Sequence, residues 1–123
     1  MKKALIAEDN PVNRELLREL LELRGFAVIE VADGMQALEQ LGQSQPDILL
    51  LDLNMPILDG FETIKRIRED TRLASLPVLA VTAYAMRGDQ EKILSRGFDG
   101  YLSKPISATE LGRELERLLE KTV

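Results

Sequence analysis

Five short aliphatic runs, each leading into a segment with helical patterning, constrain this 123-residue chain more than anything else in it. ALIA (4–7), FAVIEV (26–31), DILLL (47–51), PVLAVT (77–82) and GYLS (100–103) read as strands. Runs such as ALIA and ILLL are apolar without alternation, the pattern of strands buried on both faces. Between the runs, the punctuation is that of helix ends. Asn10-Pro11 reads as the N-cap and first residue of a helix with Val12, Leu16, Leu20 and Leu23 as its stripe, widened by Leu17 and Leu21; Gly25 closes it. Asp33-Gly34 opens a second helix, with Ala37, Leu38 and Leu41 on one face and Gly42 as its stop. Asp59-Gly-Phe-Glu62 has capping-box spacing and opens a third helix, to about residue 70. A weaker helix covers roughly 86–96, with Gly97 at its end. Ser107-Ala-Thr-Glu110 repeats the capping-box spacing before a last helix carrying Leu111, Leu115, Leu118 and Leu119. Five βα units of this kind predict a doubly wound parallel sheet with helices on both faces, and right-handed crossovers leave few topologies. The length fits one domain over 1–123.

Open parallel sheets bind their ligands at the carboxyl ends of the strands. The residues just past each run are therefore the candidates: Glu8 and Asp9 after the first, Asp52 after the third, Thr82 after the fourth, and Lys104, followed by Pro105, after the fifth. The second run offers Ala32 and Asp33, which look like a helix start. Singly, each candidate has an ordinary role. Glu8 and Asp9 suit a helix N-terminus, Asp52 can cap a turn, Thr82 suits a strand, and Lys104 suits a solvated surface. Together they place three carboxylates, a hydroxyl and an ammonium on one edge of the sheet. Acids in contact repel by about 1–4 kcal/mol per pair, which calls for a cation.

The chain has no cysteine and no histidine, so thiolate and imidazole chemistry are absent and a metal finds only oxygen ligands. Such a donor set selects a hard ion, Mg²⁺ or Mn²⁺. Beside that ion an aspartate can act as a nucleophile toward phosphorus, and phosphoryl transfer asks the protein mainly to position groups and neutralise charge. Thr82 and Lys104 suit the incoming phosphoryl oxygens. In ILLLDLNMPILDG (48–60), the apolar strand then holds Asp52 at the crevice, with metal and lysine offsetting its burial. The net charge of −5, with both signs interspersed, disfavours direct nucleic-acid binding. Nothing polybasic or amphipathic points to a membrane, and MKKALIAED turns acidic too soon for a leader, so the cytoplasm is the expected location.

In this order, ED (8–9), LLLDLNMPILDG (49–60), AVTA (80–83) and KP (104–105) make the whole chain similar to a response-regulator receiver domain of bacterial two-component signalling. DNPVNR after the first acids, and the stretch AMRGDQEKILSRGFDGYLSKPI, look most like stand-alone receivers and receivers of hybrid kinases. The resemblance implies a flavodoxin-like sheet in the order 2-1-3-4-5 with five helices. It implies that Asp52 accepts a phosphoryl group from a histidine kinase or histidine phosphotransfer protein. Asp9 and Asp52 are then direct Mg²⁺ ligands, with the backbone carbonyl of Asn54, while Glu8 acts through water; Lys104 pairs with the phosphoryl group and Thr82 hydrogen-bonds it. Tyr101 matches the family's switch aromatic, Asn54 and Tyr84 match positions that tune acyl-phosphate hydrolysis, and Lys104–Pro105 looks like the family's cis peptide. Glu8 stands where aspartate is commoner. The expected output is altered binding of a downstream protein through the fourth helix, fifth strand and fifth helix, in a monomer or a weak phosphorylation-dependent dimer. The last leucine lies about one turn from the end, so no output domain is expected.

The rival reading is a haloacid-dehalogenase-like phosphatase, which also places a nucleophilic aspartate after an apolar strand. That chemistry needs a second acid two residues on; here Asn54 stands there and cannot shuttle a proton. The chain is also short for that fold, so turnover catalysis is not expected.

Overall fold

The computed structural model describes residues 2–83 and 87–119, without the Arg87 side chain. Five strands and five helices alternate: β1 (Lys3–Ala7), α1 (Pro11–Leu23), β2 (Ala27–Val31), α2 (Gly34–Gln43), β3 (Ile48–Asp52), α3 (Gly60–Glu69), β4 (Val78–Thr82), α4 (Arg87–Ser95), β5 (Gly100–Ser103) and α5 (Ala108–Leu119). All pairings are parallel, and the sheet order is 2-1-3-4-5 as expected.

The caps form where the sequence puts them. Asn10 Oδ1 accepts the backbone N–H groups of Val12 and Asn13, with Pro11 at the first helical position. Asp33 caps α2 through the N–H of Gln36, Asp59 caps α3 through that of Glu62, and Ser107 Oγ receives the N–H of Glu110. Glu62 itself turns to Arg66, 3.3 Å away. Gly25 and Gly97 adopt the positive φ of helix-ending glycines. Gly42 does not stop α2: the helix runs on to Gln43 and the chain leaves through an extended Ser44.

Alternation along the strands divides the core in two. Ala4, Ile6, Ile48, Leu50, Leu79, Val81 and Leu102 meet Leu17 and Leu21 of α1 and Leu111 and Leu115 of α5. Leu5, Ala7, Leu49, Leu51, Val78 and Ala80 meet α2, α3 and α4 through Ala37, Leu41, Ile64, Ile67 and Ile93. Each fully buried Leu or Ile contributes about 1.5–3 kcal/mol. All five residues of β3 are buried, as befits the central strand.

The stripe read on α1 is corrected here. Leu17 and Leu21 are buried and Leu20 half-buried, but Val12, Leu16 and Leu23 are exposed. At 3.6 residues per turn, those three lie about 100–140° round from Leu17. Arg14 and Arg18 face Glu30 on β2, which turns the other flank outward.

Candidate functional site

The register of the sheet explains which side chains meet. Ala7 pairs with Leu51, so Glu8 emerges level with Asp52, and Asp52 is level with Val81 and Leu102. Glu8, Asp52 and Lys104 share strand parity and reach the rim on the α1–α5 side. Thr82 and Tyr101 have the opposite parity and lie on the side of α3 and α4.

Glu8 and Asp52 are buried; Asp9 is exposed. Their carboxylates each bring an oxygen within 4.8 Å of the others. The Lys104 ammonium lies 3.0 Å from Glu8 Oε1 and 3.2 Å from Asp52 Oδ2. It therefore supplies the counter-charge for both buried acids: its place beside Asp52 is the expected one, and the contact with Glu8 adds to it. Asn10 N–H donates to Glu8 Oε2 and Asn54 N–H to Asp52 Oδ1, at 3.1 and 3.0 Å. Glu8 Oε1 is held by this ion pair and, among the described residues, has no further hydrogen-bond donor.

Burial, reinforced by the neighbouring Asp52 carboxylate, pushes the Glu8 carboxyl up to about 7 from its ordinary 4.5. Burial of the Lys104 ammonium works against its charge, but Glu8 and Asp52 outweigh it and raise its pKa. Three acids sharing one lysine leave a site with surplus negative charge, lined by oxygen. The donor set fits Mg²⁺ or Mn²⁺.

Thr82 is buried at the end of β4, and its carbonyl accepts the Lys104 N–H at 2.8 Å, tying the lysine's backbone to the strand beside Asp52. Tyr101 is half-buried against the core on the α3–α4 side, next to Ala80 in the ladder. The Lys104–Pro105 peptide is cis. Tyr84 lies outside the described residues.

Two supports were missed in the sequence. The N–H of Asn10 clamps Glu8, and Arg14 donates to the Glu8 carbonyl at 2.8 Å. An arginine four residues past an N-cap lies on the cap's own face of the helix, which is the available signal. Ile57, after Pro56, has φ +69°, and Leu58 N–H closes a γ-turn onto the Pro56 carbonyl at 2.7 Å.

Fold and rim together define a doubly wound α/β protein with an oxygen-lined acidic cluster at the carboxyl ends of its strands. A family model for the response regulator receiver domain matches residues 4–116, and the chain belongs to that family. It is 42% identical over 106 residues to the polar-differentiation response regulator DivK of Brucella anthropi, covering 86% of each chain. The receiver domain of the sensor histidine kinase PA1611 from Pseudomonas aeruginosa, solved with a magnesium ion coordinated in its active-site cleft, superposes with a TM-score of 0.90 at 37% identity, covering 98% of both chains. The chemotaxis response regulator CheY4 of Vibrio cholerae gives 0.90 at 29% identity, over 97% of this chain and 99% of its own. Receivers are signalling switches rather than turnover enzymes, so the family leaves the phosphatase reading without support. No helix among the described residues is long and apolar enough to cross a membrane.

Proposed function

We propose that Asp52 accepts a phosphoryl group from the phosphohistidine of a histidine kinase or histidine phosphotransfer protein. An Asp52 carboxylate oxygen attacks phosphorus, the P–N bond breaks, and the imidazole leaves with the electron pair and takes up a proton. The product is an acyl phosphate. The observation that carries this reading is the convergence of Glu8, Asp9, Asp52 and Lys104 at one rim.

Asp9, Asp52 and the Asn54 carbonyl would hold the ion directly, and Glu8 through water. A bound Mg²⁺ or Mn²⁺ supplies the positive charge that offsets the crowded carboxylates and the transferred group. Lys104 neutralises a phosphoryl oxygen and the Thr82 hydroxyl donates to another. Asn54 and Tyr84 set the lifetime of the acyl phosphate.

Movement of Thr82 draws Tyr101 inward on the shared face of the sheet; the small Ala80, level with Tyr101 and two residues before Thr82, supports that coupling. The result is a shift in population of the α4–β5–α5 surface that a cytoplasmic downstream protein reads, or that pairs two copies weakly.

Treatment with acetyl phosphate and Mg²⁺, followed by an acid-lability assay, tests the reading. Label is expected on the wild type and absent from Asp52→Asn. No label on the wild type, or full label on Asp52→Asn, rejects it.

A further inference from the structure

The turn that carries Glu8 and Asp9 is held from an unexpected direction. The Glu8 N–H still donates to the Val31 carbonyl at 3.1 Å, but the Glu8 carbonyl lies past the last strand pairs, Ala7–Val31 and Ala7–Leu51. Arg14 of α1 donates to that carbonyl through Nη1 at 2.8 Å. The other edge of the guanidinium is anchored: Nε lies 3.5 Å from Glu30 Oε1, both side chains about a quarter exposed at 24%. Glu30 is held in turn by Arg18.

We propose that Arg14, braced by Glu30, is a positioning residue for the acid pair. Its grip on the Glu8 carbonyl fixes the peptide plane joining Glu8 to Asp9, and so the separation of their carboxylates. This rests on the reading that the acid cluster binds Mg²⁺.

Like charges crowded at a turn drive it to splay. The side-chain contacts of Glu8, with Asn10 N–H and Lys104, restrain one acid. Asp9 is exposed, and its direction follows from the backbone of the turn. A guanidinium fastened to both β2 and the Glu8 carbonyl opposes the splaying at that backbone. Arginine suits this because its planar fork serves two partners at once, which a lysine ammonium on the same stem does not.

The sign of one effect separates positioning from plain electrostatics. Removing a cation near an acidic site strengthens Mg²⁺ binding if charge alone acts; removing a brace weakens it. Mg²⁺ binding is measured by titration calorimetry, with thermal midpoints in metal-free buffer recorded alongside. Arg14→Met is expected to raise the Mg²⁺ Kd about tenfold, the size typical of groups that support metal ligands. Arg18→Met, which loosens Glu30 but leaves the grip of Arg14 on the Glu8 carbonyl, is expected to raise Kd by less than twofold; a rise equal to that of Arg14→Met overturns the assignment of the effect to that grip. Arg14→Lys is expected to weaken binding about threefold, by losing one of the two grips.

An Arg14→Met Kd within twofold of wild type, or below it, overturns the proposal even if the midpoint falls. Should Arg14→Met not fold, an unchanged Kd in Arg14→Lys overturns it. A wild type that binds no Mg²⁺ removes the metal reading itself, an outcome distinct from variants that bind as well as wild type.

Discussion

The Lys104 ammonium sits 3.0 Å from the Glu8 carboxylate, joining the last loop before α5 to the exit of the first strand. The same ammonium contacts Asp52 at 3.2 Å. One cation thus serves two buried acids, with Asp9 beside them, and several consequences can be measured.

Relief of this imbalance should appear as stability. In Mg²⁺-free buffer, Asp52→Asn is expected to be neutral or stabilising, by up to about 1 kcal/mol, because it removes repulsion while Lys104 keeps Glu8. Added Mg²⁺ should raise the wild-type thermal midpoint more than that of the variant. A variant clearly less stable than wild type in calorimetry without metal contradicts the crowded pocket.

The pH dependence has a definite sign. Glu8 titrates near 7 in the folded chain against 4.5 for an ordinary glutamate, so the folded state holds its proton more tightly. In metal-free buffer its contribution to stability is complete below about pH 4.5 and is lost as pH rises through about 7. Midpoints measured from pH 5 to 8 should show this fall, and Glu8→Gln should flatten it. Mg²⁺ binding, which needs the carboxylate, should strengthen over the same interval.

Gly60 sets how closely α3 approaches the end of β3. A Cβ there would stand 2.7 Å from the Asp52 carbonyl oxygen and 2.7 Å from Leu53 Cα, both backbone atoms. Gly60→Ala is therefore expected to cost about 1–3 kcal/mol in urea unfolding. It should also weaken Mg²⁺ binding, since the exit of the acid-bearing strand must shift. A variant equal to wild type in both would show that the contact yields freely.

Arg68 ties together the opposite end of the sheet. Its guanidinium donates to the carbonyls of Gly97, Ala74 and Leu76 and to Asp99 Oδ2, which also receives the Val78 N–H. Arg68→Met should lose about 2–3 kcal/mol. Mg²⁺ affinity should be unchanged, because nothing in this hub touches the rim. A matching loss of affinity would show that the two ends communicate.

The residues that could be read without coordinates share a property: their role is local. Asn10, Asp33, Asp59 and Ser107 bond to N–H groups two or three positions away, so spacing alone reveals them. The strand-end residues were legible because parallel topology sends every strand terminus to one rim. What escaped depends on tertiary placement. Val12, Leu16 and Leu23 carry a helical repeat as good as that of Leu17 and Leu21, and only the orientation of α1 over β1 and β2 exposes them. Arg68 looks like an ordinary helix-surface charge until the loop at 73–76 and Asp99 close around it. Ile57 runs against its own preference, a β-branched residue at positive φ, at a cost on the order of 1–3 kcal/mol. Composition gives no sign of that, because the demand comes from the turn joining Pro56 to Leu58.

The sealing of β3 also decides direction. With β1 and β4 on its flanks and helices over both faces, Asp52 exposes only 3% of its side chain. A reagent reaches this carboxylate at the carboxyl-end rim and not through either covered face of the sheet. The surrounding loops govern which visitors are admitted; the side of their arrival is built into the scaffold and outlasts any change in those loops.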